Sequence, residues 1–236
     1  MALPKLLDTP TYELKIPSTD ERVSYRPYLV KEEKILMIAM ESDDSKQMIN
    51  AVKSVIRSCT NDSVDVNKLA MFDIEYIFTQ LRSKSVGETS TIGVKCESCS
   101  TKNDVDVNLQ DVRVDVPKDK QKTVALTDTI GVILKYPSVE DMLEKQGSKQ
   151  SNVEQMFDII GSCIESIYTE EEIFNAAEQP KSEIREFIES LNTQQFNELR
   201  KFIESIPSAT IDVEFTCVSC GEHNSFEVKG LGNFFA

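Results

Sequence analysis

The chain has 236 residues, of which 40% are hydrophobic and 28% are charged, and its net charge is -14. This is an ordinary composition for a soluble protein of one large or two small domains. No apolar run approaches the roughly 20 residues that a membrane span needs. Nucleic-acid binding depends on Lys and Arg, so the acidic balance argues against it. One His and no Trp leave almost no material for a His-based catalytic site.

The first 30 residues are predicted to form an extended arm. Pro4, Pro10, Pro17 and Pro27 each disfavour helix at the preceding residue. Apolar residues alternate with polar ones on both sides of residues 18–20, which predicts two short strands or a hairpin there. An ordered arm without sheet pairing is the alternative. The start of the chain has no long apolar stretch, so we expect no secretory signal and a reducing cytosol.

Helical spacing dominates residues 31–82. Two apolar stripes, beginning at Met48 and Val66, each recur every three or four residues. The turn-forming residues 60–63 separate them, and Asp65 or Asn67 is predicted to cap the second helix. We expect these stripes to face the protein core.

The spacing then changes to strict alternation. Ile92 and Val94 lead into Cys96, and alternation resumes after Cys99, which predicts a β-hairpin with a CxxC turn near its tip. A strand is predicted at about residues 128–136, and Ser138 is expected to cap a helix starting near Val139.

A second helical block is predicted from about residue 152 to residue 206. Its first stripe runs from Val153 through Ile160 to Ile164 and Ile167. After Pro207 the alternation returns on both sides of Cys217 and Cys220, so the sequence holds a short internal repeat of the CxxC hairpin.

The four paired cysteines are the candidate site. Cys96, Cys99, Cys217 and Cys220 supply the four thiolates of a closed, tetrahedral structural zinc site. Paired CxxC turns in a reducing compartment favour metal over disulfides. Such a site would join parts of the chain separated by more than a hundred residues. Gly221, directly after Cys220, is expected to take a positive φ.

Other interpretations of the cysteines are weaker. Four buried thiols acting as small hydrophobic groups are one alternative, and a redox CxxC is another, although neither turn opens a predicted helix that would lower a thiol pKa. His223 is expected to lie beside the metal ligands or in solvent, because four cysteines already fill the site. Cys59 and Cys163 are predicted to be core thiols.

The predicted fold class is α+β: two mostly helical blocks around a small β zinc ribbon made from two CxxC hairpins distant in sequence. The predicted divisions are an N-terminal arm at 1–30, a helical block at 31–90, the first hairpin and following strand at 91–137, a helical block at 138–207, the second hairpin at 208–229 and a C-terminal tail at 230–236.

Four segments in chain order resemble the T-even-type phage baseplate hub and hub-assembly proteins. They are YRPYLVKEEK at residues 25–34, MES at 40–42, FDIEYIF at 72–78 and LRSKSVGE at 81–88, and the two CxxC turns follow. The resemblance covers most of the chain, and its first ninety residues are the most specific part.

This resemblance implies a non-enzymatic tail protein, made in the host cytoplasm, that works at the centre of a contractile tail's baseplate. Its expected partners are other phage baseplate and tail proteins, with no nucleic acid and no small-molecule substrate. The N-terminal arm and the apolar tail residues Phe234 and Phe235 are the candidate docking segments, because short extended peptides add to sheets or fill pockets.

Two other functions stay open at this point. A zinc-ribbon accessory protein in nucleic-acid transactions would use Lys95 and Lys102, which flank the first CxxC turn, but Glu97, Glu214 and Glu222 surround the rest. A thiol oxidoreductase is the other alternative. The sequence shows no phosphate loop, nucleophile elbow or zinc-protease helix motif, so we predict that the chain is not an enzyme.

Overall fold

The computed structural model describes residues 9–42, 44–117, 122–145 and 151–230. These residues fall into two compact units. The first comprises the residues up to Asp115 together with those from Ser208 onward, and the second runs from Val116 to Pro207. Both units contain helices and sheets, which confirms the α+β class. Within the described residues, no helix is both long enough and apolar enough to cross a membrane.

The first unit begins with an antiparallel hairpin of β1 (Tyr12–Lys15) and β2 (Arg22–Tyr25), as expected for the residues around 18–20. Leu14, Ile16, Val23 and Tyr25 are all buried. The described part of the predicted arm therefore contributes to the core of this unit through one apolar face of the hairpin.

Three helices follow: α1 (Val30–Glu41), α2 (Ser45–Cys59) and α3 (Met71–Ser85). The second helix predicted from the sequence corresponds to α3, and its predicted cap at Asp65 or Asn67 is wrong. The helix begins after Ala70, whose N–H donates to the Asp73 carboxylate at 3.1 Å. The same carboxylate accepts the backbone N–H of Ser18 at 2.9 Å. The spacing of residues along the sequence could not predict this contact with the β1–β2 turn, because Ser18 and Asp73 are 55 residues apart.

Two β-hairpins complete the first unit. One consists of β3 (Thr89–Lys95) and β4 (Lys102–Asn108), and the other of β9 (Thr210–Thr216) and β10 (His223–Lys229). Each hairpin pairs antiparallel over its whole length, with the residue before the first cysteine opposite the third residue after the second cysteine. Apolar residues from both hairpins and from the adjoining chain form one core cluster: Ile92, Val94, Val107, Val112, Ala209, Ile211, Val213 and Val228.

The second unit is built around a four-stranded antiparallel sheet in the order β5-β6-β7-β8. Its elements in chain order are β5 (Lys122–Ala125), β6 (Gly131–Leu134), α4 (Val139–Lys145), α5 (Asn152–Cys163), β7 (Ile164–Tyr168), β8 (Ile173–Asn175), α6 (Lys181–Glu189) and α7 (Thr193–Glu204). As expected, the Ser138 hydroxyl accepts the Asp141 N–H at 3.1 Å at the start of α4.

The prediction of a helical block from about residue 152 to residue 206 is wrong at β7 and β8. The spacing of Ile160, Ile164 and Ile167 fits a helix, but α5 ends at Cys163. Ile164 and Ile167 are instead paired with Leu134 and Val132 of β6. Pairing with a strand some thirty residues earlier overrides the local helical spacing here.

Candidate metal centre

The two CxxC turns meet in the structure. Cys96 and Cys99 lie between β3 and β4, and Cys217 and Cys220 lie between β9 and β10. Their four sulfur atoms all lie within 4.8 Å of one another. The Cys96 and Cys220 sulfurs are 3.7 Å apart, and the Cys99 and Cys217 sulfurs are 3.6 Å apart. The structure therefore brings together all four residues that the sequence singled out.

These distances fit a four-coordinate zinc site. A Zn–S bond of about 2.3 Å in a tetrahedron requires sulfurs about 3.8 Å apart. Both measured cross-hairpin separations lie close to that value, and neither is the roughly 2 Å of a disulfide bond. Four thiolates in a tetrahedral arrangement are the donor set that zinc prefers in structural sites.

The backbone of each turn is shaped to hold a negative sulfur. In the first turn, Cys96 N–H donates to Thr101 O at 3.0 Å and Ser100 N–H donates to Cys96 O at 2.9 Å. The N–H groups of Cys99 and Ser98 then lie against the Cys96 sulfur and lower the pKa of that thiol. In the second turn, the N–H groups of Cys220 and Ser219 do the same for Cys217 and lower its pKa to about 6.

The Cys220 thiol differs from those of Cys96 and Cys217. The Glu222 N–H lowers the pKa of Cys220, but hydrogen bonding with the neighbouring sulfurs raises it to about 12. A thiol beside ionised sulfurs holds its proton because several negative charges cannot share so small a space. A bound cation removes this conflict, so the cluster is suited to a metal ion.

Two buried asparagines join the hairpins at the site. The Asn103 side chain donates to the Cys217 sulfur at 3.7 Å and accepts the Val218 N–H at 3.0 Å. The Asn224 side chain donates to the Cys96 sulfur at 3.5 Å and accepts the Glu97 N–H at 2.9 Å. Each amide therefore binds the turn of the opposite hairpin.

Sequence reasoning missed these two residues. Each is the fourth residue after the second cysteine of its own turn, so the short internal repeat contained the signal. Both side chains are buried, at 4% and 2% exposure, although Asn is usually found at the surface. Groups that hydrogen-bond to metal ligands fix their orientation and tune their basicity.

The remaining predicted residues fall outside the cluster. Cys59 and Cys163 are buried in the cores of the first and second units, as expected. His223 is exposed at the start of β10. Phe234 and Phe235 lie outside the described residues. Among the four clustered cysteines, Cys96 and Cys217 are buried, whereas Cys99 and Cys220 are exposed.

Comparison with known proteins gives one match. No curated protein matches the chain, and no solved structure does. A family model described as T4 bacteriophage base plate protein matches residues 9–236, which is nearly the whole chain and includes both CxxC hairpins. The chain therefore belongs to the family of T4-type bacteriophage baseplate proteins.

Proposed function

We propose that this protein is a structural or assembly component of the baseplate hub of a contractile phage tail, where it docks other tail proteins. Family membership supports a structural role in the virion tail baseplate. The position in the hub and the docking of other tail proteins go beyond family membership and are proposed here. We also propose that zinc bound by Cys96, Cys99, Cys217 and Cys220 cross-links the two hairpins and stabilises the fold.

One observation carries the zinc part of the proposal. Sulfurs from two hairpins that are more than a hundred residues apart in the sequence lie within 4.8 Å of one another. Bound zinc supplies charge neutralisation and a cross-link, and its binding free energy adds to the free energy of folding. Four protein ligands leave no open coordination position for water or substrate, so the proposed site is structural rather than catalytic.

Metal analysis tests the zinc. We expect plasma mass spectrometry of native protein, purified without added metal, to find one zinc per chain. Cys96→Ser or Cys217→Ser should release it and lower the melting temperature of the whole chain. Cys163→Ser, which removes a buried thiol outside the cluster, should retain the metal. Native protein without zinc, or either cluster variant with full metal and unchanged melting, would contradict the proposal.

Assembly intermediates test the hub role. We propose that the tail at residues 230–236, with Phe234 and Phe235, is a partner-binding segment. Phe234→Ser with Phe235→Ser should leave a folded, zinc-containing chain that enters baseplate intermediates poorly. Asn233→Ser in the same tail is the matched control. Normal incorporation of the double variant would show that the tail does not bind partners. Absence of the native chain from all hub intermediates would contradict the hub role.

A nucleic-acid role is the second candidate. Its one favourable observation is that Lys95 and Lys102 are paired across the first hairpin beside the metal centre. Exposed Glu97 and Glu222 lie in the two turns, and the net charge is -14. We therefore expect no retention of DNA in filter binding at low salt, where electrostatic binding is strongest. Salt-sensitive retention that Lys95→Glu abolishes would favour this role instead.

A further inference from the structure

Helix α1 presents its apolar residues to solvent. The side chains turned inward are Glu32, Leu36 and Ala39. Val30 is 78% exposed, Met37 57% and Ile38 56%, and the other exposed apolar residues of the helix are Ile35 and Met40. A surface helix of a globular protein normally buries its apolar face. Several large apolar side chains exposed on one helix, as here, mark a candidate interaction surface.

The inward side of α1 is fixed by an ion pair between the buried Glu32 and the half-buried Arg26. The Glu32 carboxylate accepts from Arg26 at 2.9 Å, from the Ser58 hydroxyl at 2.8 Å and from the Leu29 N–H at 2.9 Å. Rolling the helix to bury Met37 and Ile38 would pull the buried Glu32 away from these donors and leave the half-buried Arg26 without its carboxylate. A broken buried ion pair is strongly destabilising. The apolar face is therefore held outward within the unit.

The outward face of α1 carries opposite charges at equal distances from its midpoint along the helix. At about 100° per residue, Val30, Lys34, Met37, Ile38 and Glu41 share one side of the helix, opposite the inward residues. Met37 and Ile38 lie midway along it, one on each side of its midline. Lys34 and Glu41, both exposed, lie at equal distances on either side of that midpoint. The face thus has an apolar middle with a cation towards one end and an anion towards the other.

We propose that this face binds a second copy of the same chain, with the two α1 helices antiparallel about a two-fold axis between Met37 and Ile38. In that arrangement the Met37 and Ile38 side chains of both copies surround the axis. Lys34 of each copy lies opposite Glu41 of the other, so the contact is self-complementary in charge. A parallel arrangement would place Lys34 against Lys34, which is unfavourable.

The charge arrangement is what points to a second copy rather than to a different protein. An isologous contact requires each surface to complement itself, and equal spacing of opposite charges about an apolar centre meets that requirement. Exposure of Met37, Ile38 and Val30 in the single chain then reflects the absence of the second copy. This inference goes beyond the proposed hub role and does not depend on the zinc.

Light scattering coupled to size-exclusion chromatography tests the contact in the full-length, metal-containing chain. We expect native protein to elute as a dimer at high concentration and to dissociate on dilution. Ile38→Glu should halve the measured mass because it places a charge beside the axis. Its melting curve and zinc content should remain native, since Ile38 does not contribute to the core. Lys68→Glu, at a residue whose side chain is 85% exposed outside α1, is the control and should remain a dimer.

A charge-swap series tests the antiparallel register. Lys34→Glu and Glu41→Lys should each weaken the dimer about tenfold, because every dimer then contains two like-charge contacts in place of two ion pairs. The double variant, with both changes, should restore native dissociation because it rebuilds both ion pairs in reverse. A heterologous partner would not be restored in this way.

Three outcomes would overturn the proposal. The first is a native chain that stays monomeric at every concentration at which it is soluble. The second is a dimer that Ile38→Glu leaves intact. The third is a double charge variant that stays as weak as the single ones.

Discussion

Ser100 and Gly221 hold the same position in the two CxxC turns and adopt the same unusual backbone conformation. Each directly follows the second cysteine of its turn, and their φ angles are 58° and 74°. Each also donates its N–H to the carbonyl of the first cysteine, at 2.9 Å from Ser100 and 3.0 Å from Gly221. The CxxC turns therefore require a left-handed residue at this point, whether or not it is glycine.

Gly221→Ala should lower the free energy of unfolding by about 1 kcal/mol, because a Cβ is strained at positive φ. A Cβ built at Gly221 meets no atom within 4 Å, so the loss would come from the backbone alone. The measurement is urea denaturation. Gly161→Ala within α5 is the matched control, where the added Cβ makes ordinary contacts at 3.6 Å and 3.7 Å. We expect it to raise stability by about 0.5–1 kcal/mol, since Ala favours helix. Equal losses at both sites would contradict this account.

The asparagine contacts predict a loss of metal affinity. Asn103→Ala removes a donor to Cys217, and Asn224→Ala removes a donor to Cys96. We expect each to weaken zinc binding by about 10–100-fold in competition with a chromophoric chelator, while the four thiolates still bind one ion.

Asn197→Ala, at an exposed position of α7, is the control for these variants. Because the two asparagines occupy equivalent positions in their hairpins, their separate effects should be similar in size. Native zinc affinity in both Asn103→Ala and Asn224→Ala would show that the two amides do not support metal binding.

The ion pair between Arg26 and the buried Glu32 predicts a pH-dependent contribution to stability. Burial alone would raise the pKa of Glu32, but hydrogen bonds from Arg26, Ser58 and the Leu29 N–H lower it to about 2, below its ordinary value of 4.5. A carboxylate with a lowered pKa in the folded state stabilises the protein above pH 4.5, and this contribution is lost as the pH falls towards 2. Glu32→Gln should therefore cost about 3 kcal/mol at neutral pH, as expected for a broken buried ion pair.

The measurement is the difference in unfolding free energy between native protein and the Glu32→Gln variant at pH 7 and at pH 3. The difference should shrink at pH 3, and loss of metal in acid affects both proteins alike. Glu33→Gln, at an exposed neighbour on α1, should show almost no difference at either pH. A Glu32→Gln difference that grows in acid would give the opposite sign and contradict the assignment.

Metal removal predicts a coupled change in both hairpins. With zinc withdrawn by a chelator, we expect hydrogen exchange to accelerate in β3–β4 and in β9–β10 together, because each hairpin supplies half of the ligands and both contribute to the shared apolar cluster. Deuterium uptake measured by mass spectrometry should rise over residues 89–108 and 210–229. Acceleration confined to one hairpin would show that the metal does not couple them.

Local patterns in the sequence were sufficient to predict several parts of the molecule. The alternating residues around each CxxC turn predicted both hairpins, and the apolar stripes predicted α2 and α3. The repeat of the CxxC spacing identified the four cysteines. These features are encoded over a few neighbouring residues, where hydrogen bonding and side-chain period are decided.

Only the tertiary structure decided the contacts between distant segments. It paired β7 with β6 although the spacing around Ile164 fits a helix, and it placed Asn103 and Asn224 against sulfurs of the opposite hairpin. It also turned Glu32 inward and the apolar face of α1 outward. The physical reason is that each arrangement depends on donors, acceptors or apolar surface contributed from elsewhere in the chain. A local period indicates which residues share a face, but the partners available in space determine whether that face is buried.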